Sequence, residues 1–186
     1  MKVINFFGAP GVGKTTKTLE LTSLMKKTQL DVEPSLEIVK EYIYSGANVL
    51  LAYQNFIFAQ QERQLRILED SKENEFVITD APLLNNVFYA PKKYPVFFKE
   101  LVFEIFNSYD NVNFFVRRTH PYSHQGRIHN EKESDKITNQ MYAFLINYNV
   151  PFIEINSTDD IMDVYEMLME YHRVSNYEQT KKKRDK

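Results

Sequence analysis

The sequence predicts an α/β protein, a three-layer sandwich in which helices cover both faces of one five-stranded parallel sheet. Two observations predict it. Short apolar runs alternate with longer stretches of helical periodicity, and the length of 186 residues is sufficient for one domain with a substantial core. The runs are four or five residues long and rich in β-branched or aromatic residues, as buried parallel strands are. The predicted strands are 3–7, 36–39, 76–79, 112–116 and 152–155.

Stretches between and after these runs have the apolar spacing of amphipathic helices. The last of them starts at Asp159-Asp160, where negative charge favours a helix N-terminus. Residues 118–134 carry charge and little apolar periodicity, which predicts a mobile loop or lid. We expect a domain at 1–175 and a basic tail without fixed structure at 176–186. The predicted helices are 14–27, 53–68, 94–106, 137–146 and one from 159 to at least 171.

Composition excludes several classes of function. Twenty-three basic and twenty-five acidic side chains give a net charge of −2, so no bulk positive field attracts nucleic acid or an anionic membrane. The absence of cysteine excludes disulfides, thiolate zinc sites and cysteine nucleophiles. No apolar run is long enough for a signal peptide or a membrane span, so we expect a cytoplasmic location.

Residues 8–15 read Gly-Ala-Pro-Gly-Val-Gly-Lys-Thr, which matches the phosphate-binding loop pattern and lies between a predicted strand and helix. Glycines let the backbone turn so that its N–H groups converge on phosphates, and the helix directs its positive end at the same anion. Lys14 is predicted to bridge the β- and γ-phosphates and Thr15 to bind Mg²⁺. The predicted nucleotide-binding residues are Gly8, Pro10, Gly11, Val12, Gly13, Lys14, Thr15 and Thr16.

Asp80 ends the predicted strand 76–79, a position from which a carboxylate can hold the Mg²⁺ shell. The alternative is a turn or cap aspartate, because Ala81-Pro82 follows. Thr15 and Asp80 are therefore the candidate metal ligands. No Asn-Lys-x-Asp segment of the kind that reads guanine is present, so ATP and Mg²⁺ are the expected cofactors.

The predicted strand 36–39 leads into Glu41, which could accept the proton of an attacking hydroxyl or hold that hydroxyl in line with the γ-phosphate. Glu33 is an alternative, because a residue before proline is extended and could also lie at a strand end. A solvated glutamate is the further alternative for either position.

Arg118 and Arg127 lie in the predicted lid after strand 112–116. Phosphoryl transfer spreads negative charge over the transferred oxygens, and an arginine fork matches that charge. We therefore predict that both arginines act in catalysis. Solvated arginines on a surface loop are the alternative.

Taken together, these motifs resemble the P-loop kinases of the nucleoside and nucleotide kinase group, with a P-loop NTP hydrolase fold. More closely, the chain resembles small ATP-binding proteins of tailed phages allied to the ribosylnicotinamide kinase domain. The resemblance implies that Glu41, Gln60 and Arg63 line the acceptor pocket, and that a lid bearing Arg127 closes over ATP. Asp80-Ala81-Pro82 lacks the acid-arginine pair of thymidylate and deoxynucleoside kinases. The matching segments are 8–15, Glu41-Tyr42, Gln54 with Gln60 and Arg63, 80–83, and Gly126-Arg127.

The sequence therefore predicts an ATP-dependent phosphotransferase acting on a nucleoside, nucleotide or related small acceptor, in the host cytoplasm if the chain is phage-encoded. One alternative is a kinase of a hydroxymethylated base or a 5′ end in DNA, with Arg117, Arg118 and the tail on the backbone. Another is a nucleotide-binding regulator or ATPase with a partner surface around Tyr89, Tyr94 and 97–98. The net charge favours the small acceptor. The sequence leaves the acceptor and the oligomeric state open.

Overall fold

One sheet of five parallel strands organises the described part of the chain, which in this computed structural model is residues 1–123 and 129–184. The strand order is 2-3-1-4-5, and helices lie on both faces of the sheet. This arrangement confirms the predicted fold class. The strands are β1 (Lys2–Phe7), β2 (Val32–Ser35), β3 (Phe76–Thr79), β4 (Asp110–Arg117) and β5 (Ile153–Asn156).

The central strand β1 is buried along its whole length. Its side chains alternate between two apolar cores, as a strand covered on both faces requires. Ile4 and Phe6 belong to one core, and Val3 and Phe7 belong to the other. Because β1 pairs with β3 on one side and β4 on the other, the strand order reverses at β1 and opens a crevice at its carboxyl end.

Helices fill the connections between strands. The helix predicted at 14–27 has the observed bounds, and those predicted at 53–68 and 94–106 differ by one to three residues at each end. The helix predicted at 137–146 begins six residues earlier, at Glu131, and the last helix begins two residues later than predicted. The sequence missed three short elements: two helices of five or six residues and a 3-10 helix at Asn48–Ala52. The α-helices are α1 (Lys14–Lys27), α2 (Val39–Tyr44), α3 (Gln54–Ser71), α4 (Asn85–Tyr89), α5 (Val96–Ser108), α6 (Glu131–Asn147) and α7 (Ile161–Arg184).

The strand predicted at 36–39 is wrong. The observed strand β2 lies four residues earlier and pairs with β3, with Val32 opposite Phe76 and Ser35 opposite Thr79. It contains Pro34, which an edge strand accommodates because one of its sides needs no ladder hydrogen bonds. The glutamate that follows this strand end, two positions after Ser35, is therefore Glu37, whereas Glu41 lies within α2.

The predicted lid, 118–134, is partly helical, because α6 begins at Glu131. Asn130 caps α6: its side chain accepts from the Glu133 N–H at 3.0 Å, and the Glu133 carboxylate accepts from the Asn130 N–H at 2.7 Å. Gly126 and Arg127 lie outside the described residues. At the other end of the chain, α7 continues through Arg184, into the segment predicted to lack fixed structure.

None of the helices within 1–123 and 129–184 is both long and apolar enough to cross a membrane.

Candidate functional site

The loop between β1 and α1 has a backbone that glycine alone adopts easily. Gly8, Gly11 and Gly13 have φ values of 144°, 89° and 97°. A Cβ atom on Gly8 would lie 2.7 Å from Val12 Cγ2 and 3.0 Å from the Val116 carbonyl oxygen. The tight turn that starts the phosphate loop therefore depends on glycine at position 8.

The N-terminus of α1 is open to an anion. Gly13 occupies the cap position, and no side chain of the described residues caps the helix or places an acid in its first turn. The first N–H groups and the positive end of the helix dipole are therefore available to phosphate oxygens. Helix α6 supports this loop, since Ser134 donates to the Pro10 carbonyl at 2.7 Å and the Gly8 N–H contacts Met141 Sδ at 3.2 Å.

A cavity of about 540 Å³ adjoins the loop, within the size range of small-molecule sites. Six of the predicted nucleotide-binding residues line it, while Gly8 and Val12 are buried outside the lining. The opposite walls come from α2, the 3-10 helix, α3 and α4. Their lining residues are Val39, Lys40, Ile43, Leu51, Gln54, Ile57, Gln61, Asn85, Asn86 and Tyr89, and Glu37 and His129 complete the cavity.

Asp80 connects three segments beside the site, although it is not itself one of the residues that line the cavity. It is 1% exposed. One carboxylate oxygen accepts from the Thr15 hydroxyl at 2.5 Å, and the other accepts from the Glu37 N–H at 2.7 Å. These bonds join the ends of β3 and β2 to the first turn of α1. The structure thus brings together the two side chains predicted to bind the metal.

The donor set at Thr15 and Asp80 fits Mg²⁺. A hydroxyl and a carboxylate supply two hard oxygen atoms, and Mg²⁺ typically takes one or two carboxylates and completes its shell with phosphates and water. The ammonium of Lys40 lies 3.1 Å from the Thr15 hydroxyl, so a positive charge already sits beside these oxygens. No group of three acidic or histidine side chains forms a self-sufficient metal site within the described ranges.

Lys14 is folded back onto the loop that precedes it. Its ammonium donates to the carbonyl oxygens of Gly8 and Ala9, at 2.8 and 2.9 Å. The side chain also lines the cavity. A phosphate at the mouth of the loop would offer this ammonium a stronger, charged acceptor than a carbonyl.

Glu37 is the carboxylic acid that the structure places in the cavity. Burial raises the pKa of Glu37 above the ordinary glutamate range, and the nearby Asp80 carboxylate raises it further, although Lys14 and Lys40 oppose the shift. A carboxylate with a raised pKa is a stronger proton acceptor. Burial, followed by the charge of Glu37, also raises the pKa of the Tyr89 phenol on the facing wall, so that hydroxyl stays protonated.

Neither of the two glutamates predicted for this role lines the cavity. Glu41 is exposed on α2, directly after Val39 and Lys40, which do line the cavity. Glu33 lies on β2 and pairs with Lys26 at 2.6 Å on the surface. The extended conformation expected before Pro34 was the signal that could have placed the strand earlier and identified Glu37.

Helix α3 turns a different face to the cavity from the one predicted. Gln54, Ile57 and Gln61 line the cavity and share one helix face, since they are spaced by three and four residues. Gln60 is about 100° around the helix from Gln61 and does not line the cavity. Arg63 is exposed and does not line it either.

The predicted catalytic residue Arg118 is held by two acids of α6. Its guanidinium donates to Glu131 at 2.7 Å and to Asp135 at 2.6 Å, and it does not line the cavity. Arg117 forms a bidentate pair with Glu154, at 2.8 and 3.2 Å. Both arginines thus join β4 to neighbouring elements, and Arg127 lies outside the described residues.

The amino-acid sequence matches the model of one protein family over residues 3–160, and that family, AAA_28, is described as an AAA domain. The match includes the phosphate loop, all of β1 except Lys2, the other four strands and every residue that lines the cavity. No curated protein matches the chain.

Proposed function

Because the chain belongs to this AAA domain family of P-loop NTPase type, whose members bind nucleotides, we propose that it transfers the γ-phosphate of ATP to the hydroxyl of a small, nucleoside-like acceptor. The observation that carries the proposal is the position of Glu37. Its side chain lines the same cavity as the phosphate loop, and its N–H donates to Asp80, so it lies beside the Thr15–Asp80 pair. The proposal includes the resemblance to the nucleoside and nucleotide kinase group and to the ATP-binding proteins of tailed phages.

The loop and the first turn of α1 bind the phosphates in this scheme. Lys14 leaves the carbonyls of Gly8 and Ala9 and contacts the phosphates, where its charge is matched. Thr15 and Asp80 would hold Mg²⁺, which when bound neutralises negative charge on the β- and γ-phosphate oxygens. Lys40 supplies a second positive charge beside Thr15.

Glu37 accepts the proton of the acceptor hydroxyl. The acceptor oxygen forms its bond to the γ-phosphorus, the bond from that phosphorus to the bridging oxygen breaks, and ADP leaves. The raised pKa of Glu37 suits it to take the proton, because burial makes its charged form less stable than in water. A carboxylate here also repels a phosphate group, so a hydroxyl acceptor is favoured over a monophosphate.

Two observations support a small acceptor over a kinase of DNA. The cavity encloses space for a small molecule next to the loop. Arg117 and Arg118, the residues expected to contact a nucleic-acid backbone, are each engaged with carboxylates of the same chain. The small acceptor is therefore the form of the proposal that we retain, and a cytoplasmic setting is proposed together with it.

An ATPase or regulator that acts on a protein partner is the second candidate. The family's description as an AAA domain is compatible with it. At the start of α5, Val96 is 73% and Phe97 is 78% exposed, which suits a partner surface, although Phe98 packs against Phe58. In that case water would be the only acceptor of the γ-phosphate.

An acceptor screen with γ-labelled ATP tests the proposal. Nucleosides, nucleotides, nicotinamide riboside and DNA are each incubated with the protein, and labelled products are separated from inorganic phosphate. We expect label on a small hydroxyl-bearing acceptor with the native protein and none with Lys14→Ala. Label in inorganic phosphate alone, at a rate unaffected by every acceptor, would favour the ATPase.

A further inference from the structure

The amide of Gln61 has a fixed orientation that is set by the main chain. Asn86 is 1% exposed, and one of its side-chain atoms lies 2.9 Å from the Leu83 carbonyl oxygen. A carbonyl oxygen only accepts, so that Asn86 atom is the amide nitrogen. The same nitrogen lies 2.6 Å from Gln61, and the facing atom of Gln61 is therefore its oxygen.

The remaining half of the Gln61 amide is its NH₂ group, on a side chain that lines the cavity. Asn86 engages the oxygen of Gln61, and within residues 1–123 and 129–184 no group accepts a hydrogen bond from its NH₂ group, although the residue is only 5% exposed. The Leu83 carbonyl thus sets the orientation of the Asn86 amide, and the Asn86 amide in turn sets the orientation of the Gln61 amide. Gln61 presents a donor to the cavity.

Gln54 presents the opposite group. Its amide nitrogen donates to the Leu51 carbonyl oxygen at 2.7 Å, which leaves the side-chain oxygen for a ligand. Gln54 precedes Gln61 by two turns of α3, with Ile57 between them on the same face. The α3 wall therefore offers a donor at one end, an acceptor at the other and an apolar surface between them.

Charged groups of the described lining gather at the phosphate end. Lys14 and Lys40 lie close enough to Glu37 for their charges to lower its pKa against the larger, opposite effect of burial. The walls formed by α3 and α4 consist of four amide side chains, one aliphatic side chain, Ile57, and the phenol ring of Tyr89. An uncharged, flat ring suits such walls, since aromatic and aliphatic groups cover its faces and amides contact its edge.

We propose that the acceptor is an uncharged, hydroxyl-bearing molecule with a keto-type heterocycle, whose ring carbonyl accepts a hydrogen bond from Gln61. An amino group at the same ring position would point its N–H donor at the NH₂ donor of Gln61, so no hydrogen bond would form between them. Asn86 acts as the positioning residue that keeps the Gln61 NH₂ group toward the cavity. This inference deepens the proposed function and rests on it for the identity of the cavity as the acceptor site.

Binding measured in the presence of Mg²⁺ and ADP, without turnover, tests the inference. Two matched pairs of probes differ in a ring carbonyl or amino group: inosine and adenosine, and uridine and cytidine. We expect the keto member to bind at least about tenfold more tightly in one or both pairs, with neither pair reversed. Equal affinities in both pairs, tighter binding of an amino member, or no binding of any probe would overturn the inference.

Two variants test the residues that carry it. Gln61→Met removes the donor and should bring the ratio of keto to amino affinities close to one. Gln60→Met is the matched control, because it makes the same change one position away, outside the cavity lining. Asn86→Ala should also lower the ratio although Gln61 is intact, and an unchanged ratio in both Gln61→Met and Asn86→Ala would contradict the assignment.

Two further comparisons distinguish a failure of the proposed function from a failure of the inference about the ring carbonyl. The same bases placed in a short single-stranded oligonucleotide show whether the ring is bound as a free nucleoside or within a strand, and a keto preference in either form supports the inference. A keto preference in binding without label transfer from ATP would contradict the proposed function alone. Label transfer to keto and amino probes at equal rates and affinities would contradict the inference alone.

Discussion

The Thr15 hydroxyl and the Asp80 carboxylate lie 2.5 Å apart, although 65 positions separate them in the chain. Thr15 is in the first turn of α1 and Asp80 directly follows β3, so parallel pairing of β1 with β3 brings the two segments to one edge of the sheet. This pair joins the loop that would hold phosphates to the acid that would hold their metal ion.

Asp80→Asn should lower turnover by about a hundredfold and raise the Mg²⁺ concentration needed for half-maximal activity, because it removes the charged oxygen donor of the pair. A titration of activity against Mg²⁺ measures both effects. Asp163→Asn, on the exposed face of α7, is the matched control. An unchanged Mg²⁺ titration in Asp80→Asn would show that another group binds the metal ion.

Glu37→Gln should lower turnover by about 10² to 10⁴ and leave ATP affinity unchanged, since it removes a proton acceptor and keeps the size of the side chain. Initial rates and nucleotide binding measure the two quantities. Glu41→Gln is the control, because Glu41 is exposed nearby on α2 and does not line the cavity. Loss of activity in Glu41→Gln with a normal rate in Glu37→Gln would return the role to the residue predicted from the sequence.

The raised pKa of Glu37 also has a consequence for stability. The folded protein holds a proton at this site up to a higher pH than the unfolded chain does, so folding is disfavoured as pH rises from the ordinary glutamate range through the raised pKa. We expect Glu37→Gln to unfold at a higher temperature than the native protein above that range. The difference should shrink on acidification, and thermal unfolding at several pH values measures it; a native protein that is more stable than Glu37→Gln at neutral pH would contradict it.

Gly8→Ala should destabilise the fold by at least about 3 kcal/mol, because its Cβ would meet Val12 and the Val116 carbonyl in a backbone conformation that alanine rarely adopts. Gly46→Ala separates the cost of steric crowding from the cost of the backbone conformation. Gly46 also has a positive φ, of 74°, but nothing lies within 4 Å of its added Cβ, so about 1 to 2 kcal/mol is expected. Urea unfolding measures both values, and equal losses would show that crowding at Gly8 contributes nothing.

Local sequence signals were enough to predict much of the fold and the phosphate end of the site. The bounds of α1 and β3 match the prediction, because each element has a clear boundary: the glycine-rich loop before α1, and Asp80 after β3. The pairing of Thr15 with Asp80 follows from parallel strand ends sharing one edge of a sheet.

The acceptor side was predicted less well for identifiable reasons. β2 is an edge strand that contains Pro34, so its four residues lack the continuous apolar run that marks a buried strand. The error of four residues moved the expected carboxylate from Glu37 to Glu41. On α3, polar residues occur on several faces, and only packing against α4 decides that Gln61 and not Gln60 turns inward.

Arg118 illustrates a different difficulty. Its position after β4 and its charge suited a role in phosphate transfer, and the carboxylates that hold it come from residues 131 and 135, in a segment predicted to be loop up to 134. Whether the acids at 131 and 135 reach Arg118 depends on where α6 begins. The sequence signal for that start is the capping box at Asn130, which is short and lies in a charged stretch.

The partition of labelled phosphate tests the central claim most directly. The protein is given γ-labelled ATP, Mg²⁺ and the best acceptor of the screen, and the label in the acceptor is compared with the label in inorganic phosphate for the native chain, Glu37→Gln and Lys14→Ala. A phosphotransferase predicts that the native protein puts most label in the acceptor, that Glu37→Gln slows this transfer by about 10² or more, and that Lys14→Ala abolishes both products. Label that enters inorganic phosphate alone, at a rate equal in the native protein and in Glu37→Gln, would contradict the account.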